Sequence, residues 1–150
     1  MKNLFDAERV AEIKGRLATL RPDSERRWGT MSATQMVAHC AIGSEMATGD
    51  HNPPRLFIGR VLGRIIKPLA LRDDAPMKKN SPTAPSLVVK GDPDFEKERA
   101  RLQEIIARFA TGGPKGCTTH PHCFFGPMTA NEWAVLMYKH LDHHLRQFGA

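Results

Sequence analysis

The sequence predicts an all-α fold, a four-helix bundle in one domain over residues 1–150, and three observations lead there. Apolar residues recur at helical spacing in four separate stretches. Two of these stretches open with a capping box, Ser32-Ala33-Thr34-Gln35 and Thr129-Ala130-Asn131-Glu132, whose side chains satisfy the free N–H groups of a helix start. Between the second and third stretches lies a long proline-bearing segment that reads as a crossover spanning the molecule, because neither side of it makes an independent core.

Composition narrows the class further. With 150 residues, 41% of them apolar, the chain has the size of one ordinary domain. No apolar run approaches the roughly 18 residues of a membrane span, and Met1 to Glu8 is too polar and acidic for a signal peptide. The expectation is a cytoplasmic protein with no integral membrane segment. Cys40, Cys117 and Cys123 include no C-x-x-C pair, which argues against a disulfide framework. A net charge of +6 could attract anions, but the basic residues are dispersed and no nucleic-acid motif is present, so no nucleic-acid partner is expected.

Taken in order, Asp6 caps a first helix carrying Val10, Ile13, Leu17 and Leu20, stopped by Pro22. A loop follows in which Trp28 either packs on the bundle or stacks on a ligand. The second helix begins near Ala33 and runs to Gly49, a natural C-cap. His39 stands among its core-type residues, and Gly43, one turn later, implies close helix packing or room for a ligand.

Arg55 to Lys67 forms a short amphipathic segment with Arg60, Arg64 and Lys67 on one stripe. Such a segment can lie on an anionic membrane, although its length better suits covering its own core or a homodimer interface. Pro68 to Asp92 is the crossover loop, with Ser86-Leu87-Val88-Val89-Lys90 as strand-like or simply extended chain. Asp92-Pro93 then caps a third long helix bearing Phe95, Leu102, Ile105, Ile106 and Phe109, which ends at Gly112-Gly113-Pro114. The loop after it holds Cys117, His120, His122 and Cys123, enough ligands for a zinc site but at the spacing of no common one.

The final helix gathers Trp133, Leu136, Met137, His140, Leu141, His144, Gln147 and Phe148 into one arc, at about 100° per residue. His143 lies at the edge of that arc and Asp142 points away from it. Imidazoles in an apolar stripe are costly to bury without partners. His140 and His144, four apart, suit one shared metal ion, and the plainer reading is surface or hydrogen-bonded core histidine. With His39 on the facing second helix they make a three-His set with an open fourth position, the pattern of a catalytic zinc site.

Several segments carry a family resemblance: Trp28-Gly29, Met36-Val37-Ala38-His39-Cys40, Phe124-Phe125-Gly126, Glu132-Trp133, and Tyr138 through Gly149. The chain resembles the DinB-like (DinB/YfiT-like) superfamily, in a branch without characterised activity. The resemblance implies an up-down-down-up bundle with a long link between helices two and three. It also implies a divalent metal held by His39, His140 and His144. Members with known activity are mostly thiol-dependent transferases or isomerases, which implies a low-molecular-weight thiol cofactor and a small-molecule substrate. Three imidazoles suit zinc, nickel, iron or copper, with zinc foremost. Gln147, one turn past His144, is a candidate to orient it or a bound water, and His120 or His122 is a candidate general base. The competing expectation is a non-enzymatic metal-binding or stress-related protein without turnover.

Overall fold

A computed structural model of the chain describes residues 1–150. The protein is all-helical, with α1 (Ala7–Thr19), α2 (Ala33–Thr48), α3 (Phe57–Leu71), α4 (Phe95–Gly112) and α5 (Ala130–Gln147). Two short 3-10 turns, Pro85–Leu87 and Gly113–Gly116, interrupt the loops.

The helix starts follow the local chemistry of their first residues. Asp6 accepts from the Glu8 N–H at 3.0 Å. The Ser32 hydroxyl accepts from the Gln35 N–H and the Gln35 amide accepts in return from the Ser32 N–H, both at 3.1 Å. Thr129 and Glu132 form the second reciprocal pair, at 3.2 and 2.8 Å. Gly49 closes α2 at φ +86°, in the left-handed region that favours glycine.

Two sequence-based boundaries shift. The cap of α4 is Asp94, which accepts from the Lys97 N–H at 2.8 Å, so the proline at 93 precedes the cap instead of opening the helix. The amphipathic segment continues past Lys67, through Pro68, to Leu71. A helix proline removes one hydrogen bond, and here the chain beyond it is anchored by Leu71, which is buried in the core. The stretch from Ser86 to Lys90 forms no strand.

Side-chain contacts fix the helix directions. Gln35 donates to the Gly91 carbonyl, Arg101 pairs with Glu45 at 2.6 Å, and Arg108 pairs with Asp50. These pairs advance together along both segments, so α2 and α4 run parallel. Tyr138 donates to Glu12 and Arg16 pairs with Asp142, so α1 and α5 are also parallel. Across α2 and α5 the order reverses: His140 lies against Gly43, while His144 lies against His39.

The core sits around α5. Leu4, Ile13, Leu17, Met36, Val37, Leu102, Ile106, Phe109, Trp133 and Leu141 belong to one buried cluster. At roughly 25 cal/mol per Å² of apolar surface removed from water, such burial is the main favourable term in folding. A single buried arc on α5 is too narrow a description, because the helix is enclosed on most sides. Asp142 faces away from His140 and His144 yet is buried at 6% exposure. There it accepts from Arg16 at 2.7 Å and from Arg146 at 2.8 Å. The helix α3 is fixed by its glycines: a Cβ on Gly59 or Gly63 would run into the Phe124 backbone. No helix is long and apolar enough to cross a membrane.

Candidate metal centre

The middle of α2 and the C-terminal half of α5 bring His39, His140 and His144 together, and one ring nitrogen from each lies within 4.8 Å of the others. His39 Nε2 and His140 Nε2 stand 2.9 Å apart, and the three ring centroids are 4.7 to 4.9 Å from one another. No other group of three histidine, cysteine or acidic side chains converges in this way.

The outer nitrogens define which tautomers are present. His39 Nδ1 lies 2.8 Å from the Leu87 carbonyl, an acceptor only, so Nδ1 carries the proton and Nε2 offers a lone pair inward. His144 Nδ1 lies 2.8 Å from Gln147 Oε1. The orientation of that amide is set from its other end, where Gln147 Nε2 donates to the Trp28 carbonyl at 2.8 Å. Gln147 therefore presents an oxygen to His144, His144 Nδ1–H donates, and His144 Nε2 also faces inward bare. With His39 Nε2 unprotonated, the short contact to His140 requires a proton on His140 Nε2. That proton sits between the two ring nitrogens.

Burial favours the neutral form of all three rings. Burial lowers the pKa of His39, against an opposing pull from the Leu87 carbonyl. Burial takes His140 well below the usual histidine range, and the adjoining charge of a protonated His144 or His39 would add to this. His144 falls to about 3, chiefly through burial and then through His39, with Gln147 opposing. Neutral imidazole is the form that binds metal.

The reason for Gly43 is visible at this point. A Cβ there would come 2.9 Å from His140 Cε1 and 3.3 Å from Nδ1, so the missing side chain is the space that the His140 ring fills.

A cavity of about 460 Å³ opens onto the cluster, with His39 and His144 in its lining. Trp28 and His143 form one wall, and the crossover loop supplies Asn80, Thr83 and Val88. Trp28 is thus half-buried against the site: its ring lies 5.7 Å from that of His143, with Lys79 Nζ 4.4 Å above it. His143, at the edge of the arc in sequence, is 5.0 Å ring to ring from His144. Burial lowers its pKa, and a hydrogen bond to the Met77 backbone opposes this. A more open hollow of about 430 Å³ beside Pro22 to Arg26 includes none of the histidines.

Of the remaining sequence candidates, Gln147 joins the cluster and two histidines do not. His120 is exposed on the loop before α5, where its backbone N–H donates to Thr118. His122 is packed between Phe125 and Trp133, and its Nδ1 accepts from the Phe124 and Phe125 N–H groups at 3.1 Å each. Burial, then the nearby Arg55 charge, lowers its pKa to about 4. It serves as the acceptor that shapes a tight turn, and neither residue lines the cavity. Cys117, His120, His122 and Cys123 form no ligand cluster, and the three cysteines are free. Two contributors escaped the sequence reading. The Leu87 carbonyl is backbone and leaves no residue-type signal, whereas His143 was marked only by its place at the edge of the final helix's apolar arc.

The family model described as "Protein of unknown function (DUF1569)" matches residues 4–150, and the chain belongs to that family. No curated protein and no solved structure matches it.

Proposed function

We propose that this member of the family is a metal-dependent enzyme of the DinB-like kind, with a divalent ion held by His39, His140 and His144 beside a substrate cavity. The observation that carries the reading is the pair of anchored outer nitrogens. Leu87 and Gln147 hold the Nδ1 protons of His39 and His144, leaving their Nε2 atoms to converge. Outer partners of this kind orient metal-binding histidines and raise their basicity.

The donor set fits such an ion. Two nitrogens bound to one tetrahedral zinc at about 2.0–2.1 Å lie roughly 3.3 Å apart, and the separations within the cluster, from 2.9 Å to at most 4.8 Å, bracket that value. Three neutral imidazoles suit zinc, with nickel, iron and copper as alternatives decided by availability. Helix directions support the DinB-like reading: α1 and α5 share one direction, α2 and α4 the opposite one, and the long crossover links the parallel pair.

A bound divalent ion would supply Lewis acidity, easing loss of a proton from a water or thiol near neutral pH. The chain's own residues do the rest. Gln147 keeps His144 in register, the wall of Trp28 and His143 confines a small molecule, and His143 is the ring placed to exchange hydrogen bonds with it. The reaction class is thiol-dependent S-transfer or hydrolysis.

The test is metal content together with turnover. The expected result is about one equivalent of metal, and activity toward an electrophile or ester, with or without a low-molecular-weight thiol, that His140→Ala abolishes. Full metal content without turnover on any such pairing favours a non-enzymatic metal-binding protein. Substoichiometric metal, with folding unchanged in His140→Ala and His144→Ala, contradicts both readings.

A further inference from the structure

The helix α3 carries its apolar side chains on the outside. Phe57 is 82% exposed, Ile65 64%, Val61 59%, Leu69 57%, Ile58 56% and Leu62 37%. Only Met1 and Val88 elsewhere in the chain are large, apolar and comparably bare. The helix cannot turn this face inward, because the opposite side is seated through Gly59 and Gly63 on the backbone of Phe124 and Phe125. Lys67 ties it down further, 2.9 Å from Glu132 and 2.9 Å from the Pro127 carbonyl. At roughly 150–200 Å² for each large side chain when bare, the six leave on the order of 600 Å² of apolar surface in water. This is the upper end of what a monomer exposes, and close to the roughly 800 Å² that each partner brings to an interface of standard size.

The pattern within the patch points to a facing helix. Ile58, Leu62, Ile65 and Leu69 are spaced four, three and four apart, the repeat that inserts knobs into the holes of a packed helix. At about 100° per residue, they fall within an arc of roughly 60°, and Arg60 and Arg64 lie more than about 120° round from its centre. The seam is therefore uncharged, and two copies of it meet without opposing like charges. An anionic lipid surface would find its cations on one flank alone, because Gly59, Gly63 and Lys67 are turned toward the protein.

We infer that the outer face of α3 is the docking surface for α3 of a second copy of this chain, the two seams packing about a two-fold axis. Such an interface is self-complementary by symmetry, so one helix supplies both halves. It lies on the segment that precedes the crossover, and its formation makes no demand on the histidine cluster.

The test is the mass of the full chain by sedimentation equilibrium, for wild type and for the double variant Ile58→Glu and Ile65→Glu. Both residues face solvent, and circular dichroism verifies folding. The expected result is a two-chain mass for wild type at micromolar concentration and a one-chain mass for the variant. Ile65→Cys, which keeps the face apolar, is expected to form an intermolecular disulfide under mild oxidation that wild type does not form. A monomeric wild type, or a dimer that survives the double variant, overturns the inference. Monomeric protein that floats with phosphatidylcholine–phosphatidylserine vesicles, and ceases to do so in the double variant, overturns it in favour of lipid.

Discussion

Replacing Gly43 with alanine separates the metal centre from the fold. Helix propensity alone favours the change by about 1 kcal/mol, since glycine is that much worse than alanine inside a helix. The new Cβ, however, would lie 2.9 Å from His140 Cε1 and 3.3 Å from Nδ1. Carbon atoms rest at about 3.5–4.0 Å, so the ring must retreat by roughly 0.6–1 Å. Metal–ligand distances tolerate only about 0.2 Å. The displacement is several times that tolerance, and it falls on one of the three proposed ligands. Disturbing the support of a single ligand typically costs about 10–100-fold in affinity. Zinc affinity of Gly43→Ala, read by competition against a chromogenic chelator, is therefore expected to fall by about that factor, while thermal stability of the metal-free protein stays level or rises. A variant that binds zinc as tightly as wild type would refute the assignment of the Gly43 gap to His140.

Three further outcomes follow from the same geometry. Gln147→Leu removes the acceptor for His144 Nδ1 and the donor to the Trp28 carbonyl; zinc affinity should drop by about 10–100-fold, and unaltered competition curves would contradict the tautomer assignment. Asp142→Ala leaves Arg16 without its buried carboxylate, which is expected to cost roughly 1–3 kcal/mol in urea unfolding, with metal affinity of the folded protein nearly unchanged; an equal loss of metal would mean that this network reaches the cluster. For metal-free protein, the pH dependence has a definite sign. Unfolded histidines titrate near 6.5, whereas His144 is lowered to about 3 and His122 to about 4. Below about pH 6.5 the unfolded chain binds more protons, so stability is complete above that pH. It should fall on acidification by up to about 1.4 kcal/mol per pH unit for each such histidine, ending near pH 4 for His122 and pH 3 for His144. Urea midpoints that stay flat from pH 7 to 4 would oppose this.

Much of the helical frame was legible because it rests on local rules. Asp6, the Ser32–Gln35 box, Gly49 and the Thr129–Glu132 box each act over three or four residues, and each performs in the structure as the sequence predicts. The gathering of His39, His140 and His144 was also legible, since imidazoles at core positions of facing helices need polar partners and supply them to one another when they converge. What escaped was tertiary. In sequence α3 reads as covering either its own core or a homodimer interface, and only the close fit of Gly59 and Gly63 on the Phe124 backbone shows that its apolar face is turned outward. The role of the crossover as a cavity wall and as the source of the Leu87 carbonyl depends on where a long loop lies, which no periodicity encodes. His122 reads in sequence as a candidate general base or loop zinc ligand, and its place between Phe125 and Trp133 comes from packing across the α5 start.

The central claim is that His39, His140 and His144 share one divalent ion. Its most direct test is isothermal titration of metal-free protein with zinc, for wild type and for each single alanine variant, with folding verified by circular dichroism. The expected result is one site per chain in wild type and a loss of affinity of at least about 10-fold in every variant. A wild type that binds no zinc, nickel or iron, or variants that bind as wild type does, would contradict it.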